Sequence, residues 1–190
     1  MTEKFVLGSF YGYFVVFFLV EFVLTRFRLG SGERGNRDHF SIVFFMIVPF
    51  VGMFLWMHAI NARLVGANPS WPLWILGIAA GLVGFTIRIV AKRALGRFFT
   101  VRVQLQEGHE VIETGIYKRV RHPLYLGYVL EWMAPPLILG SPAGFLFVTL
   151  PILAGVLQRI PREEGLLIEG LGERYRAYMA RTKRLIPGVW

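Results

Sequence analysis

FSIVFFMIVPFVGMFLWMHAI, the stretch from Phe40 to Ile60, carries no Asp, Glu, Lys or Arg, and its length decides the class of the protein. A helix that crosses a bilayer needs roughly 20 mostly apolar residues, because its backbone groups must pair internally while its side chains face hydrocarbon. Four further blocks of this kind lie around it: Phe5–Thr25, Trp71–Val90, Leu124–Leu139 and Ala143–Ile160. The block from Leu124 is short and holds Pro135-Pro136, so a kink is expected there. Gly140-Ser141-Pro142 is all that joins it to the last block, which predicts a tight helical hairpin. Composition agrees: charged residues make up 17% of the chain, against about 25% in soluble domains. The pattern predicts an all-α integral membrane protein with five transmembrane helices.

The first block is expected to stay as a helix and not to be removed as a signal peptide. Only Lys4 precedes it, no small-residue cleavage site follows, and Arg26 and Arg28 close it as a stop-transfer flank would. The net charge of +9 is explained by position. Lys4 and Arg63 are the basic residues on one side of the five spans, and the other nineteen of 21 lie in or beside the alternate loops and the C-terminal tail. Cytoplasmic segments carry such an excess, so the N-terminus is expected outside and the C-terminus in the cytosol. Basic flanks of this kind face anionic headgroups, and no nucleic-acid partner is expected. The chain has no cysteine, which excludes disulfides and thiolate metal sites. His39, His58, His109 and His122 show no paired spacing, so no metal is expected either.

Residues 1–91 read as a three-helix membrane part and residues 92–190 as a functional core, the two forming one membrane domain. Gly30-Ser31-Gly32-Glu33-Arg34-Gly35 matches a dinucleotide-binding string. That motif works only between a strand and a helix, and here a membrane helix precedes it, so we read a flexible loop. Thr100–Leu105 alternates polar and apolar residues as a short strand does. With the turn Glu107-Gly108-His109 and the pair Val111-Ile112, it predicts a short ordered loop or hairpin at the membrane face. Within residues 161–183, Leu167, Leu171, Tyr175 and Tyr178 recur at spacings that share one helical face. This predicts a cytosolic amphipathic C-terminal helix.

Three groups of residues could carry chemistry. Arg121-His122-Pro123-Leu124-Tyr125-Leu126-Gly127 marks a loop entering a membrane helix. Pro123 suits the first helical position and holds His122 extended. The free N–H groups of the first turn, with Arg121 and His122 beside them, could receive a carboxylate or phosphate. Arg159 and Glu163, four residues apart, would share a face if the helix continues through Pro161. Glu131 lies two turns into the fourth helix, where a buried acid must face the bundle interior or a wet cavity. Glu21 raises the same question.

Taken together, these residues resemble the isoprenylcysteine carboxyl methyltransferase family of small membrane methyltransferases. The resemblance runs from Gly96 to Pro187. It rests on Gly96-Arg97-Phe98-Phe99, Gln104, the Gly115/Tyr117 pair, Arg121-His122-Pro123 with Tyr125 and Gly127, and Arg159 with Glu163-Glu164. It closes with Leu167-Ile168, Gly172 with Tyr175 and Tyr178, and Leu185-Ile186-Pro187. The resemblance implies S-adenosylmethionine as methyl donor, held without a Rossmann domain, and a lipophilic or amphiphilic acceptor entering from the bilayer. Carried over by position, Tyr117, Arg121, His122, Tyr125 and Glu164 would contact the cofactor, Gln104 and Gly115 would shape its pocket, and Arg159 and Glu163 would face the acceptor. A carboxylate acceptor could be oriented by Arg159, an amine could give its proton to Glu163, and a thiolate would be favoured by a nearby cation; the residue set leaves all three open. Glu131 departs from the family, where an aromatic residue tends to stand near that position, and would tune the site toward a cationic or amine acceptor. A membrane reductase of the sterol-reductase type using NADPH, or a non-enzymatic family member, is the alternative.

Overall fold

The computed structural model describes residues 1–25, 39–99, 108–186 and 188, together with their side chains except those of residues 23–25, 39–44 and 46. Its helices are α1 (Glu3–Thr25), α2 (His39–Asn61), α3 (Trp71–Leu95), α4 (Pro123–Leu139), α5 (Pro142–Leu171) and α6 (Glu173–Arg181), with 3-10 turns at Gly96–Phe98 and Gly115–Lys118. Among the described residues there is no strand, only one isolated parallel bridge between Val120 and Lys183. The loop from Gly30 to Gly35, the candidate strand Thr100–Leu105 and Gln104 lie outside the described residues.

Among the described residues, three stretches are long and apolar enough to cross a membrane: Glu3–Phe22, Trp71–Phe98 and Pro142–Leu171. α2 contributes the shorter apolar stretch Ile47–Asn61, and α4 is 17 residues long. Large apolar side chains on these helices point away from the bundle, with Phe54 70% exposed and Leu82, Leu146 and Val15 close behind. Such surface belongs against another apolar phase, and the bilayer is the phase that these helix lengths match.

The tightest seam runs between α3 and α4. A Cβ placed on Gly84 would come within 2.7 Å of the Gly127 carbonyl oxygen and 2.9 Å of Glu131 Cγ. Small residues allow that approach, which in lipid substitutes for the missing hydrophobic drive between helices. α1 lies across the seam. Its Phe17 meets Trp132 of α4 at 5.0 Å between ring centroids, and Tyr13 stacks on Phe85 of α3 at 5.7 Å. α2 packs chiefly against α5, including the segment Phe145–Thr149, where the helix widens to π geometry. Gly140, at φ +59°, ends α4 in the left-handed conformation that glycine adopts without penalty. Thr149 Oγ1 then ties α5 back to the Trp132 carbonyl at 3.0 Å.

The C-terminal region differs from the sequence expectation. α5 does not stop at Ile160; it runs through Pro161 to Leu171, and the chain breaks at Gly172, φ +57°. A proline inside a helix removes one hydrogen bond, but Ile160 and Glu164 on either side of it are both buried, and that packing holds the turn. The amphipathic helix expected over residues 161–183 is therefore two pieces. Leu167 and Leu171 belong to the end of α5, while Tyr175 and Tyr178 are buried from α6.

Candidate active site

The start of α4, the far end of α5 and the chain after α6 meet on one side of the bundle. Backbone bonds make the first connection. The N–H groups of Arg121 and His122 donate to the carbonyls of Lys183 and Arg184 at 2.8 and 2.9 Å, and the Lys183 N–H donates to Arg119 at 3.0 Å. The tail is thus laid as a short parallel rung beside the segment that enters α4. Pro123 occupies the first helical position as expected. The N–H groups of Tyr125 and Leu126 close back on the His122 carbonyl. Most of the helix start is consequently satisfied by protein instead of standing open to an anion.

Glu164 is the centre of the arrangement. Its Oε1 accepts from Arg121 Nε at 2.8 Å and lies 3.3 Å from His122 Nε2, and its Oε2 accepts from Arg184 Nε at 3.0 Å. One carboxylate from α5 therefore links the start of α4 to the tail. Arg121 reinforces the same join by donating to the backbone carbonyls of Met179 and Thr182. Buried charges persist when paired and hydrogen-bonded in this way. Tyr178 adds a neutral contact, its hydroxyl donating to the Tyr117 carbonyl at 2.8 Å.

Glu163, one residue earlier, faces a different set. Tyr125 donates its hydroxyl to Glu163 Oε2 at 2.5 Å, and His122 Nδ1 lies 4.0 Å from Glu163 Oε1. The His122 ring thus stands between both carboxylates and stacks on Tyr125 at 5.7 Å. Arg159, one turn before Glu163 on α5, is 7% exposed. Its guanidinium lies over the rings of Phe45 and Tyr125, at 5.2 and 5.7 Å.

The buried polar atoms without a hydrogen-bond partner among the described residues include the Tyr117 hydroxyl and His109 Nδ1. Burial pushes the Tyr117 hydroxyl well above the ordinary phenol range, with Glu163 adding to the shift. Burial lowers the His109 pKa, which Glu163 partly opposes. Buried polar groups in native proteins are nearly always paired, so each of these atoms could take a polar partner.

Of the residues expected from sequence, Tyr117, Arg121, His122, Tyr125, Arg159, Glu163 and Glu164 come together here. Gly115 opens the 3-10 turn at φ +59°. His109 is the residue that sequence reasoning passed over. Its ring lies 4.8 Å from Phe98, in the turn that begins the resemblance, a contact that the sequence does not announce.

The comparisons follow this geometry. A sequence profile of the isoprenylcysteine carboxyl methyltransferase (ICMT) family matches residues 75–169, which contain α4, Arg159, Glu163 and Glu164. A probable protein-S-isoprenylcysteine O-methyltransferase of Oryza sativa subsp. indica is 29% identical over 121 residues, spanning 63% of this chain and 63% of that protein. The protein-S-isoprenylcysteine O-methyltransferase of Dictyostelium discoideum is 30% identical over 122 residues, spanning 63% of this chain and 52% of that protein. The matched regions thus cover less than two thirds of these relatives. The solved structure of the eukaryotic intramembrane Ras methyltransferase ICMT superposes with a TM-score of 0.63 at 19% identity, over 98% of this chain and 67% of that one. That likeness carries the fold alone. The profile match covers half of the chain, including Arg121, His122, Arg159, Glu163 and Glu164, and the chain belongs to the isoprenylcysteine carboxyl methyltransferase family.

Proposed function

We propose that this chain is a membrane methyltransferase that moves a methyl group from S-adenosylmethionine to the carboxylate of a lipophilic acceptor, an S-prenylated cysteine or a molecule like it. The observation that carries the reading is the junction at Glu164, which sets the Arg-His-Pro start of α4 against the tail. Family membership supports the donor, and the names of the relatives support the acceptor class. We place the N-terminus outside, the C-terminus in the cytosol, and all five long helices across the bilayer, in keeping with the distribution of basic residues.

When bound, S-adenosylmethionine supplies a sulfonium methyl group open to in-line attack. Tyr117, His122 and Tyr125 line its pocket, Gly115 and Gln104 shape the rim, and Arg121 with Glu164 contacts it from the wall that they hold together. Arg159 and Glu163 face the acceptor. A carboxylate is already ionised at neutral pH, so no base is required. The work left to the protein is orientation in a site with little water. The Arg159 fork suits that task because guanidinium and carboxylate match in two parallel hydrogen bonds.

The test is transfer of labelled methyl from S-adenosylmethionine to N-acetyl-S-farnesylcysteine by the purified chain in lipid nanodiscs, with mass spectrometry of the product. A base-labile methyl ester on the cysteine carboxylate is expected. Label on nitrogen or sulfur would contradict the carboxylate assignment, and absence of transfer together with stabilisation by NADPH would favour a reductase.

A further inference from the structure

A charged cluster lies inside the bundle, outside the pocket just described. Arg88 of α3 pairs through Nη1 with Glu21 of α1 and with Glu131 of α4. Glu131 is 0% exposed and Arg88 is buried. Each residue stands within about two turns of a helix end, those ends being the last turns of α1 and α3 and the first of α4. Charges at such depth are costly and usually have a task. Glu131 pairs with Arg88 through Oε2 and packs against the Gly84 seam, while its Oε1 has no hydrogen-bond partner among the described residues.

The cluster does touch the acceptor side through one residue. The Arg88 guanidinium lies 5.3 Å from the centre of the Tyr128 ring. Tyr128 donates its hydroxyl to the Phe45 carbonyl of α2 at 2.7 Å, and its ring meets the Phe45 ring edge-on at 5.7 Å. Phe45 in turn stacks on Tyr125, with 19° between the rings, and lies beneath Arg159. Because α2 packs chiefly against α5, these aromatic contacts are what bridge it to α4 beside Arg159.

We propose that Arg88, fixed by Glu21 and Glu131, is a positioning residue for the acceptor: it holds Tyr128 in the orientation that spaces α2 from α4 and seats the Phe45 wall under Arg159. A guanidinium gripped by two carboxylates is rigid in a way that a lysine ammonium is not, and a cation over a ring face is attractive out of water. Glu164 and its partners Arg121 and Arg184 take no part in this chain of contacts, which meets the donor side only at Tyr125. The inference rests on the proposed methyl transfer and deepens it by naming what sets the fit of the lipophilic part of the acceptor.

The test uses the full chain in nanodiscs, with N-acetyl-S-farnesylcysteine and its shorter S-geranyl analogue as acceptors and S-adenosylhomocysteine as the donor-site probe. Arg88→Met is expected to raise the acceptor KM by about tenfold and to narrow the preference between the two chain lengths, while donor-site affinity stays within about twofold; a rise in KM alone marks lost acceptor binding. Arg88→Lys should recover part of the effect. Tyr128→Phe keeps the ring but removes the bond to Phe45, and it should raise KM in the same direction even if Arg88→Met does not fold. Wild-type KM and chain preference in Tyr128→Phe or in a folded Arg88→Met would overturn the proposal, as would an equal loss of donor and acceptor binding. Failure of the wild-type chain to methylate either acceptor would instead remove the proposed function, and this inference with it.

Discussion

Glu164→Gln is expected to lower the stability of the folded chain by about 3–5 kcal/mol, the usual cost of removing one partner of a buried ion pair. The substitution preserves shape and leaves Arg121, whose side chain is almost wholly buried, facing an amide instead of a carboxylate. Arg184 is 33% exposed and can turn to water, so Arg121 and His122 account for most of the loss. The effect should be local before it is global. The tail is held to α4 by three backbone bonds at Arg119, Arg121 and His122 and by this carboxylate. Limited trypsin digestion should therefore cut after Lys183 and Arg184 at a protein-to-protease ratio that spares the wild type. S-adenosylhomocysteine should bind more weakly, because the wall of the pocket is loosened. A variant with unchanged melting temperature, proteolysis and donor affinity would show that the Glu164 junction does not hold the site.

Arg159→Lys is expected to slow methyl transfer by about 10²–10³-fold, the range seen when one well-placed electrostatic donor is removed from an active site. Lysine keeps the charge and much of the apolar stem but presents no planar fork. It also forfeits the flat stacking of the guanidinium over Phe45 and Tyr125. Binding of S-adenosylhomocysteine should stay within about twofold, since an interaction used mainly in the transition state appears in kcat and leaves ligand affinity alone. The measurement is single-turnover kinetics beside isothermal titration of the same preparation. A variant that transfers methyl at the wild-type rate, or that loses donor affinity and rate together, would move Arg159 out of the acceptor side.

The helices and several residues of the Glu164 junction were legible in the sequence because their signals are local. An apolar run of membrane length reads as a helix from its own residues, and Arg121-His122-Pro123 announces a helix start through the backbone rules of proline. Glu163 and Glu164 were also visible, being close to Arg159 in the chain. What stayed hidden depends on contacts between distant segments. Arg88 reads as a single charge near the end of an apolar block, yet its partners stand 67 and 43 residues away. The available signal was that Glu21, Arg88 and Glu131 fall at similar depth in three helices whose ends lie on one side. The join between Lys183 and Val120 is a single bridge, too short to leave any periodicity. Gly172 misled for another reason: Leu167, Leu171, Tyr175 and Tyr178 keep a helical spacing across it, although the backbone reverses sign there. Periodicity reports which side chains are buried, and two short helices meeting at a glycine can bury the same set.

Equilibrium binding of S-adenosylhomocysteine to the detergent-purified chain, followed by thermal unfolding, tests the central claim most directly. A ligand that binds only the folded state adds about 2.7 kcal/mol of stability at a concentration 100 times its Kd. Saturable stabilisation is expected in the wild type and in Arg159→Lys, and much less in Glu164→Gln. Stabilisation by NADPH in place of S-adenosylhomocysteine, or by neither, would contradict a methyl-donor pocket between α4 and the tail.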